Sequence, residues 1–200
     1  YFCSKTSLVM KLLRRKIDEY LKDWKASEAR MPLIVKGARQ VGKTASILQF
    51  AHDNYKNVVA INFVLQQKYK AIFEDGYEVN DIIRNLTLID PSIKVEKGNT
   101  LIFFDEMQDC PACATSLKAF KIDGRYDVVC SGSLMGINYR EIESNSVGYK
   151  EDYTMHSMDF EEFLWAKGYD DAFVERLYER MVSITPLSNI EMDVLGGLFR

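Results

Sequence analysis

A glycine-rich segment that ends in lysine and threonine spans residues 37–44 and has the pattern G-x-x-x-x-G-K-T. Backbone N–H groups of such a loop bind nucleotide phosphates, because glycine allows backbone angles and close approaches that a Cβ would prevent. The side chain of Lys43 can then reach the β- and γ-phosphates, and the Thr44 hydroxyl can bind Mg²⁺. The phosphate-binding residues predicted from this loop are Gly37, Ala38, Arg39, Gln40, Val41, Gly42, Lys43, Thr44 and Ala45.

Two adjacent carboxylates, Asp105 and Glu106, directly follow an apolar run at residues 100–104. A carboxylate at the end of a buried strand can complete a Mg²⁺ shell, and a glutamate just beyond it can orient and polarise a water for attack on a γ-phosphate. An ordinary surface turn with two acids is the alternative. Because a complete phosphate loop precedes the pair, the sequence favours Asp105 as a metal ligand and Glu106 as a catalytic base.

Hydroxyl groups follow another apolar run, at residues 126–130, where the chain continues as Ser131-Gly-Ser133. Ser131 and Ser133 can contact a γ-phosphate or the attacking water if that strand lies beside the phosphate loop. A polar turn without catalytic contacts explains the same residues equally well. Gln108 has two similar interpretations, as a residue that positions water or as one that makes a hydrogen bond within its loop.

These residues need a parallel sheet to bring them together. The apolar run at 33–36 predicts a buried strand, and a helix is predicted to begin at Gly42 and to lead to a strand at 58–63. This strand–loop–helix–strand order is the βαβ beginning of an α/β fold. Further strands are predicted at 100–104, at 126–130 and within 146–155, and helices at 8–25, 66–75, 79–89, 111–121, 159–166, 170–183 and 187–195.

The spacing of Cys110 and Cys113 is also found in redox and zinc sites. A zinc site needs two further ligands, and the sequence contains neither a second C-x-x-C pair nor a histidine pair. A thioredoxin-like site needs its own surrounding fold, with which the phosphate loop is incompatible. The pair is therefore interpreted as two reduced thiols at the start of a helix.

Composition and charge limit the class of protein. With 200 residues, 47% of them apolar, the chain can bury the core of one domain with a small appendage, and its apolar runs are too short to span a bilayer. We expect a cytoplasmic protein with no membrane partner. The net charge is −3, but residues 1–70 hold 14 Lys and Arg against 5 Asp and Glu. This basic excess suits an anionic ligand and makes nucleic acid a candidate partner, although solvated basic helix faces are commoner.

Five segments in this order and spacing resemble one family: prokaryotic ATP-binding proteins of the AAA type, whose longer members carry a C-terminal domain of unknown function. The resemblance extends from about Lys11 to about Ala166 and rests on residues 32–44, 57–63, 101–108, 130–134 and 158–165. It implies ATP and Mg²⁺ as ligands and a P-loop NTPase fold of three αβα layers. The fold has an additional strand in its central parallel sheet, the acidic strand in the middle and a helical portion at the C-terminal end.

The resemblance also implies roles for particular residues. Ser131 or Ser133 takes the sensor position, and Asn62 is similar to the polar residue that restrains the catalytic glutamate in AAA-type ATPases. The resemblance does not identify the arginine that completes such a site, and Arg125 and Arg140 are candidates only because they are expected near the same end of the sheet as the loop. Sites of this kind can receive that arginine from a neighbouring molecule.

The sequence therefore predicts three regions: an amphipathic helix at 1–30, a P-loop ATPase core at 31–158, and a helical lid or the start of a further region at 159–200. The predicted function is Mg²⁺-dependent ATP hydrolysis coupled to movement of the lid or of an attached domain. The alternative is a nucleotide-gated switch or binding module with negligible turnover, for which association with DNA is a candidate property. A protein partner or self-association, through the lid or through a C-terminal region that would follow Arg200, is a further expectation, with ATP and ADP as small-molecule partners.

Overall fold

The computed structural model describes residues 13–133 and 148–198. Its strands are β1 (Leu33–Lys36), β2 (Asn57–Asn62), β3 (Thr100–Asp105), β4 (Asp127–Gly132) and β5 (Glu151–Thr154). Its helices are α1 (Lys16–Ala26), α2 (Lys43–Asn54), α3 (Val79–Ile89), α4 (Ala112–Asp123), α5 (Phe160–Ala166), α6 (Asp171–Val182) and α7 (Asn189–Leu198), with 3₁₀ helices at Gln67–Phe73 and Met107–Asp109.

The strands form one parallel sheet in the order β2-β3-β4-β1-β5. This order places β4 between the strand that precedes the phosphate loop and the strand that ends in Asp105, so β4 is the additional strand. The strand with the acidic pair is an interior strand, as expected, but β4 and not β3 occupies the middle position. The register sets Asn62 beside Asp105 and Val35 beside Ser131, so their side chains meet at the carboxyl edge of the sheet.

Helices cover both faces of the sheet, which explains why β3 is apolar at successive positions. Leu101 and Phe103 pack in a core with α1 and α2, whereas Ile102 and Phe104 pack in a second core with α3 and α4. All of β1 and β3 is buried, as is typical of parallel strands with helices on both sides. The predicted α/β fold with three αβα layers is confirmed.

The helix predicted at 66–75 is present as a 3₁₀ helix at Gln67–Phe73. Its buried side chains are Tyr69, Ile72 and Phe73, and Gly76 follows closely with a φ of +118°. The predicted helix at 8–25 and the predicted strand within 146–155 lie partly outside the described residues, and the described parts contain α1 and β5.

The chain divides into two compact units, Tyr1–Ser157 and Met158–Arg200. The described part of the second unit consists of α5, α6 and α7. The side chain of Asp159 accepts a hydrogen bond from the backbone N–H of Glu162 and so caps α5. Among residues 13–133 and 148–198, we found no helix with the length and apolarity needed to cross a membrane.

The two cysteines of the C-x-x-C pair are both buried thiols. Cys113 lies in α4, with its sulfur 3.8 Å from that of Cys130 in β4. Burial raises the pKa of the Cys110 thiol and that of Cys113. These thiols lie within the core between helix and sheet, as expected of small buried residues.

Candidate nucleotide-binding site

The predicted phosphate loop joins β1 to α2 at the carboxyl edge of the sheet. Gly37 has a φ of +152°, and a Cβ there would lie 2.2 Å from the carbonyl oxygen of Met155. Gly42 has a φ of +101° and immediately precedes α2. At position 37 only glycine avoids a clash with the Met155 carbonyl without movement of the backbone. At position 42 the positive φ is one that residues with a side chain rarely adopt.

Helix α2 begins at Lys43 and has no acidic residue in its first turn. The aligned peptide dipoles of its 12 residues give its N-terminus a partial positive charge. Its first N–H groups have no hydrogen-bond partner within the helix. An anion at this end of α2 is therefore favoured by both charge and hydrogen bonding.

The side chain of Lys43 lies inside the loop and is 8% exposed. Its Nζ donates to the carbonyl oxygens of Gly37 and Ala38, at 2.9 and 2.6 Å. Burial lowers the pKa of Lys43, and the carboxylates of Glu106 and Asp105 oppose this shift. The loop thus holds a cationic side chain in the position from which it can reach a bound phosphate.

Asp105 is the polar centre of the site and is only 5% exposed. Its carboxylate accepts hydrogen bonds from the Thr44 hydroxyl at 3.1 and 3.3 Å, from Asn62 Nδ2 at 3.0 Å and from the Ser131 hydroxyl. The backbone N–H of Glu106 donates to the same carboxylate at 3.1 Å. Residues from α2, β2 and β4 therefore converge on one carboxylate at the end of β3.

The donor set around Asp105 fits a magnesium ion. The Thr44 hydroxyl and the Asp105 carboxylate come from residues 61 positions apart and lie in contact. Mg²⁺ prefers oxygen ligands and is usually held by one or two protein groups together with phosphates and waters. The two residues predicted as metal ligands are thus close enough to share one ion.

Glu106 has a left-handed backbone conformation, with a φ of +56°. Its carboxylate accepts a hydrogen bond from Gln108 Nε2, which also donates to Asp109 at 3.2 Å. The prediction that Asn62 restrains this glutamate is not supported, because the Asn62 amide donates to Asp105. The oxygen of that amide accepts hydrogen bonds from the N–H groups of Val64 and Leu65, which fixes the orientation of the amide.

A cavity of about 390 Å³ lies between the loop and Glu106. Six of the predicted loop residues line it together with that glutamate: Arg39, Gln40, Gly42, Lys43, Thr44, Ala45 and Glu106. Gly37, Ala38 and Val41 complete the loop outside this lining. The cavity therefore combines a helix N-terminus, an ammonium group and a carboxylate.

The two predicted sensor serines lie at the end of β4 and are both buried. Ser131 reaches the site directly through its hydrogen bond to Asp105. Ser133 is 8% exposed and follows the last residue of the strand. Its contact with a phosphate or a water stays a prediction.

Arg125 precedes β4 and therefore lies at the amino edge of the sheet, opposite the loop, so the expectation that it lies near the loop end of the sheet is wrong. Its guanidinium donates to Asp123 and Asn80 at that edge. Arg140 lies outside the described residues.

Arg15 contacts the loop, although its sequence suggested only a basic helix face. Its Nη1 donates to the Val41 carbonyl at 2.7 Å. Sequence reasoning missed it because it stands in the run Arg14-Arg15-Lys16, where nothing local separates one buried arginine from two exposed neighbours.

A family described as an AAA domain matches residues 29–164 of the chain. A search of curated proteins found no match.

Solved structures with some similarity include the Aeropyrum pernix ORC1 protein in complex with DNA, at 15% identity and a TM-score of 0.43 over 70% of this chain and 43% of that one. C. elegans PCH-2 has 13% identity and a TM-score of 0.45 over 80% and 51% of the two chains. The Pif1 helicase from Candida albicans has 14% identity and a TM-score of 0.48 over 84% and 44%. The chain spans about half the length of these structures or less.

Proposed function

The chain belongs to the AAA domain family, and we propose that it binds ATP with Mg²⁺ and hydrolyses the bond between the β- and γ-phosphates. The observation that carries this proposal is the contact between Thr44 and Asp105 beside a cavity that Lys43 and Glu106 share. A phosphate-binding loop alone is compatible with many reactions. A metal-binding pair with a carboxylate facing the same cavity favours attack by water.

Binding would use the loop amides and the N-terminus of α2 around the phosphates. Lys43 would exchange its bonds to the Gly37 and Ala38 carbonyls for phosphate oxygens, which are stronger partners for an ammonium group. Thr44 and Asp105 would hold the metal, and Asn62 and Ser131 would keep the Asp105 carboxylate in place by hydrogen bonds. The metal, when held there, would supply positive charge that offsets the negative charge developing on the phosphate.

Hydrolysis would depend on Glu106 as the base that orients a water. Its carboxylate faces the cavity, and Gln108 holds it by a hydrogen bond. General-base catalysis of this kind contributes about 10²- to 10⁴-fold to a rate. Most of the remaining acceleration would come from fixed positive charge and N–H groups around the phosphates.

The test is phosphate release and nucleotide binding with MgATP for the native chain, Lys43→Ala and Glu106→Gln. We expect Lys43→Ala to weaken binding and Glu106→Gln to keep binding while turnover falls about 10²- to 10⁴-fold. Matched controls are Lys22→Ala on the exposed side of α1 and Glu74→Gln at an exposed turn. Unchanged nucleotide binding by Lys43→Ala would refute the central assignment.

A second outcome of the same measurement would favour the alternative function. Tight nucleotide binding without turnover, even at high protein concentration, would mean that the chain is a nucleotide-gated binding module. The segment Met158–Arg200 would then respond to nucleotide binding and not to nucleotide hydrolysis. It would do so as a lid or as the segment that leads into a further domain.

A further inference from the structure

Arg15 is buried at the start of α1, although its neighbours Arg14 and Lys16 are exposed. Its own backbone N–H donates to Asp18 Oδ2 at 2.8 Å, in a capping interaction that fixes where the helix begins. The side chain is 8% exposed, which is unusual for a residue that carries a permanent charge. A buried guanidinium needs hydrogen-bond acceptors for its N–H groups, and these acceptors show which segments Arg15 connects.

Two backbone carbonyls from distant segments accept hydrogen bonds from this guanidinium. Nη1 donates to Val41 O in the phosphate loop at 2.7 Å, and Nη2 donates to His156 O, just after β5, at 2.9 Å. These residues are 26 and 141 positions from Arg15. The planar fork of one guanidinium therefore bridges the last part of the loop to the end of β5.

The first part of the loop contacts the same end of β5. The backbone N–H of Met155 donates to Lys36 O at 2.7 Å, one residue before Gly37. The carbonyl oxygen of Met155 packs so closely on Gly37 that a Cβ there would lie 2.2 Å away. Met155 thus contacts the first part of the loop directly, and Arg15 joins His156 to the last part. The chain enters the second unit at Met158.

We propose that Arg15 is a positioning residue that couples the phosphate loop to the end of β5. Nucleotide in the loop would fix the Val41 carbonyl, and the guanidinium would transmit this restraint to His156 and to the junction with the second unit. The proposal rests on nucleotide binding in the proposed function but not on hydrolysis. Arginine suits the role because it keeps its charge and presents two parallel donors, which lysine cannot do.

Hydrogen exchange at Met155 tests the coupling directly, since its N–H bonds to Lys36 next to the loop. We expect MgADP to slow exchange of the peptide that contains Met155 at least about fivefold in the native chain, and to leave it unchanged in Arg15→Gln. The affinity of Arg15→Gln for MgADP should fall about tenfold, because a charged hydrogen-bond donor to the loop is lost. Arg14→Gln is the matched control, since Arg14 is exposed and pairs with Glu19.

Exchange in β3 reports whether each variant is folded. If the amides of β3 exchange faster in Arg15→Gln than in the native chain, that variant is not properly folded. The coupling is then tested with Arg15→Lys, which keeps the charge but has no planar fork. We expect Arg15→Lys to retain less than half of the nucleotide-dependent slowing. Native slowing and native affinity in both variants would overturn the coupling while leaving the proposed function intact. A native chain that does not bind MgADP would overturn both.

Discussion

At the scale of single residues, the site depends on how a few side chains share their hydrogen bonds. Asp105 accepts hydrogen bonds from Thr44, Asn62 and Ser131, so its carboxylate is held in one orientation beside the Thr44 hydroxyl. Gln108 donates to Glu106 and Asp109, and two carboxylate acceptors require its amide nitrogen, not its oxygen, to face them. The proposed base is thus held by a residue of its own loop.

Replacing Gln108 tests this arrangement. Gln108→Ala should lower ATP turnover about tenfold with little change in nucleotide affinity, because a hydrogen bond to a charged group contributes about 1.5–3 kcal/mol and holds the base toward the cavity. Steady-state phosphate release and a nucleotide titration separate the two effects. The matched control is Gln49→Ala, which removes an amide–carboxylate bond of 2.9 Å to Asp53 on the exposed side of α2. Native turnover in Gln108→Ala would show that the contact has no catalytic consequence.

At the scale of elements, the position of the loop depends on a close approach between two strands. Strand β5 pairs with β1 along its length, so the chain that leaves β5 runs directly against Gly37. The loop glycines are therefore needed for packing against β5 as well as for access to phosphates. Gly37 therefore differs from glycines such as Gly196, where an added Cβ would have room.

Gly37→Ala should consequently damage both stability and binding. Its Cβ would meet a backbone oxygen at 2.2 Å, and relieving such overpacking costs about 1–3 kcal/mol of unfolding free energy. Urea denaturation and a nucleotide titration measure the two losses. The contrasting control is Gly196→Ala in α7, where nothing lies within 4 Å, and alanine should stabilise the helix by up to about 1 kcal/mol. Equal effects of the two substitutions would contradict the close approach.

At the scale of the whole molecule, the charge asymmetry along the sequence does not produce an equal asymmetry at the surface. Basic residues of the first 70 positions pair with acidic residues of the remainder, as in Arg30–Asp127, Lys36–Asp152 and Lys56–Glu96. Two further cations, Arg15 and Lys43, are buried at the loop. Five of the 14 cations among residues 1–70 are thus paired with acids of the remainder or buried at the loop, which reduces the positive charge available for binding nucleic acid.

We accordingly expect only non-specific DNA binding, with a Kd of about 10⁻⁴–10⁻⁶ M at physiological salt. Fluorescence anisotropy with a labelled duplex over a range of salt concentrations measures both the affinity and its salt dependence. The informative substitutions are Arg14→Gln and Lys22→Gln, which change exposed charges, since substitution of Arg15 would also disturb the loop. Nanomolar binding that these two substitutions abolish would instead support a DNA-associated protein.

The sequence by itself determined the class of fold, the phosphate loop and the end of β3, because each is encoded locally. The spacing of Gly37, Gly42 and Lys43 needs no distant partner to be recognised, and continuous apolar runs indicate strands that helices cover on both faces. The match of residues 29–164 to the AAA domain family agrees with that interpretation.

Only the tertiary structure decided which side chains meet. Asn62 and Ser131 reach Asp105 because of the strand order and register, Gln108 reaches Glu106 because of the turn between them, and Arg125 lies at the opposite edge. The bridge from Arg15 to Val41 and His156 joins segments up to 141 residues apart. No local pattern reports such contacts, since a buried arginine and an exposed one have the same sequence signature until the surrounding chain is folded.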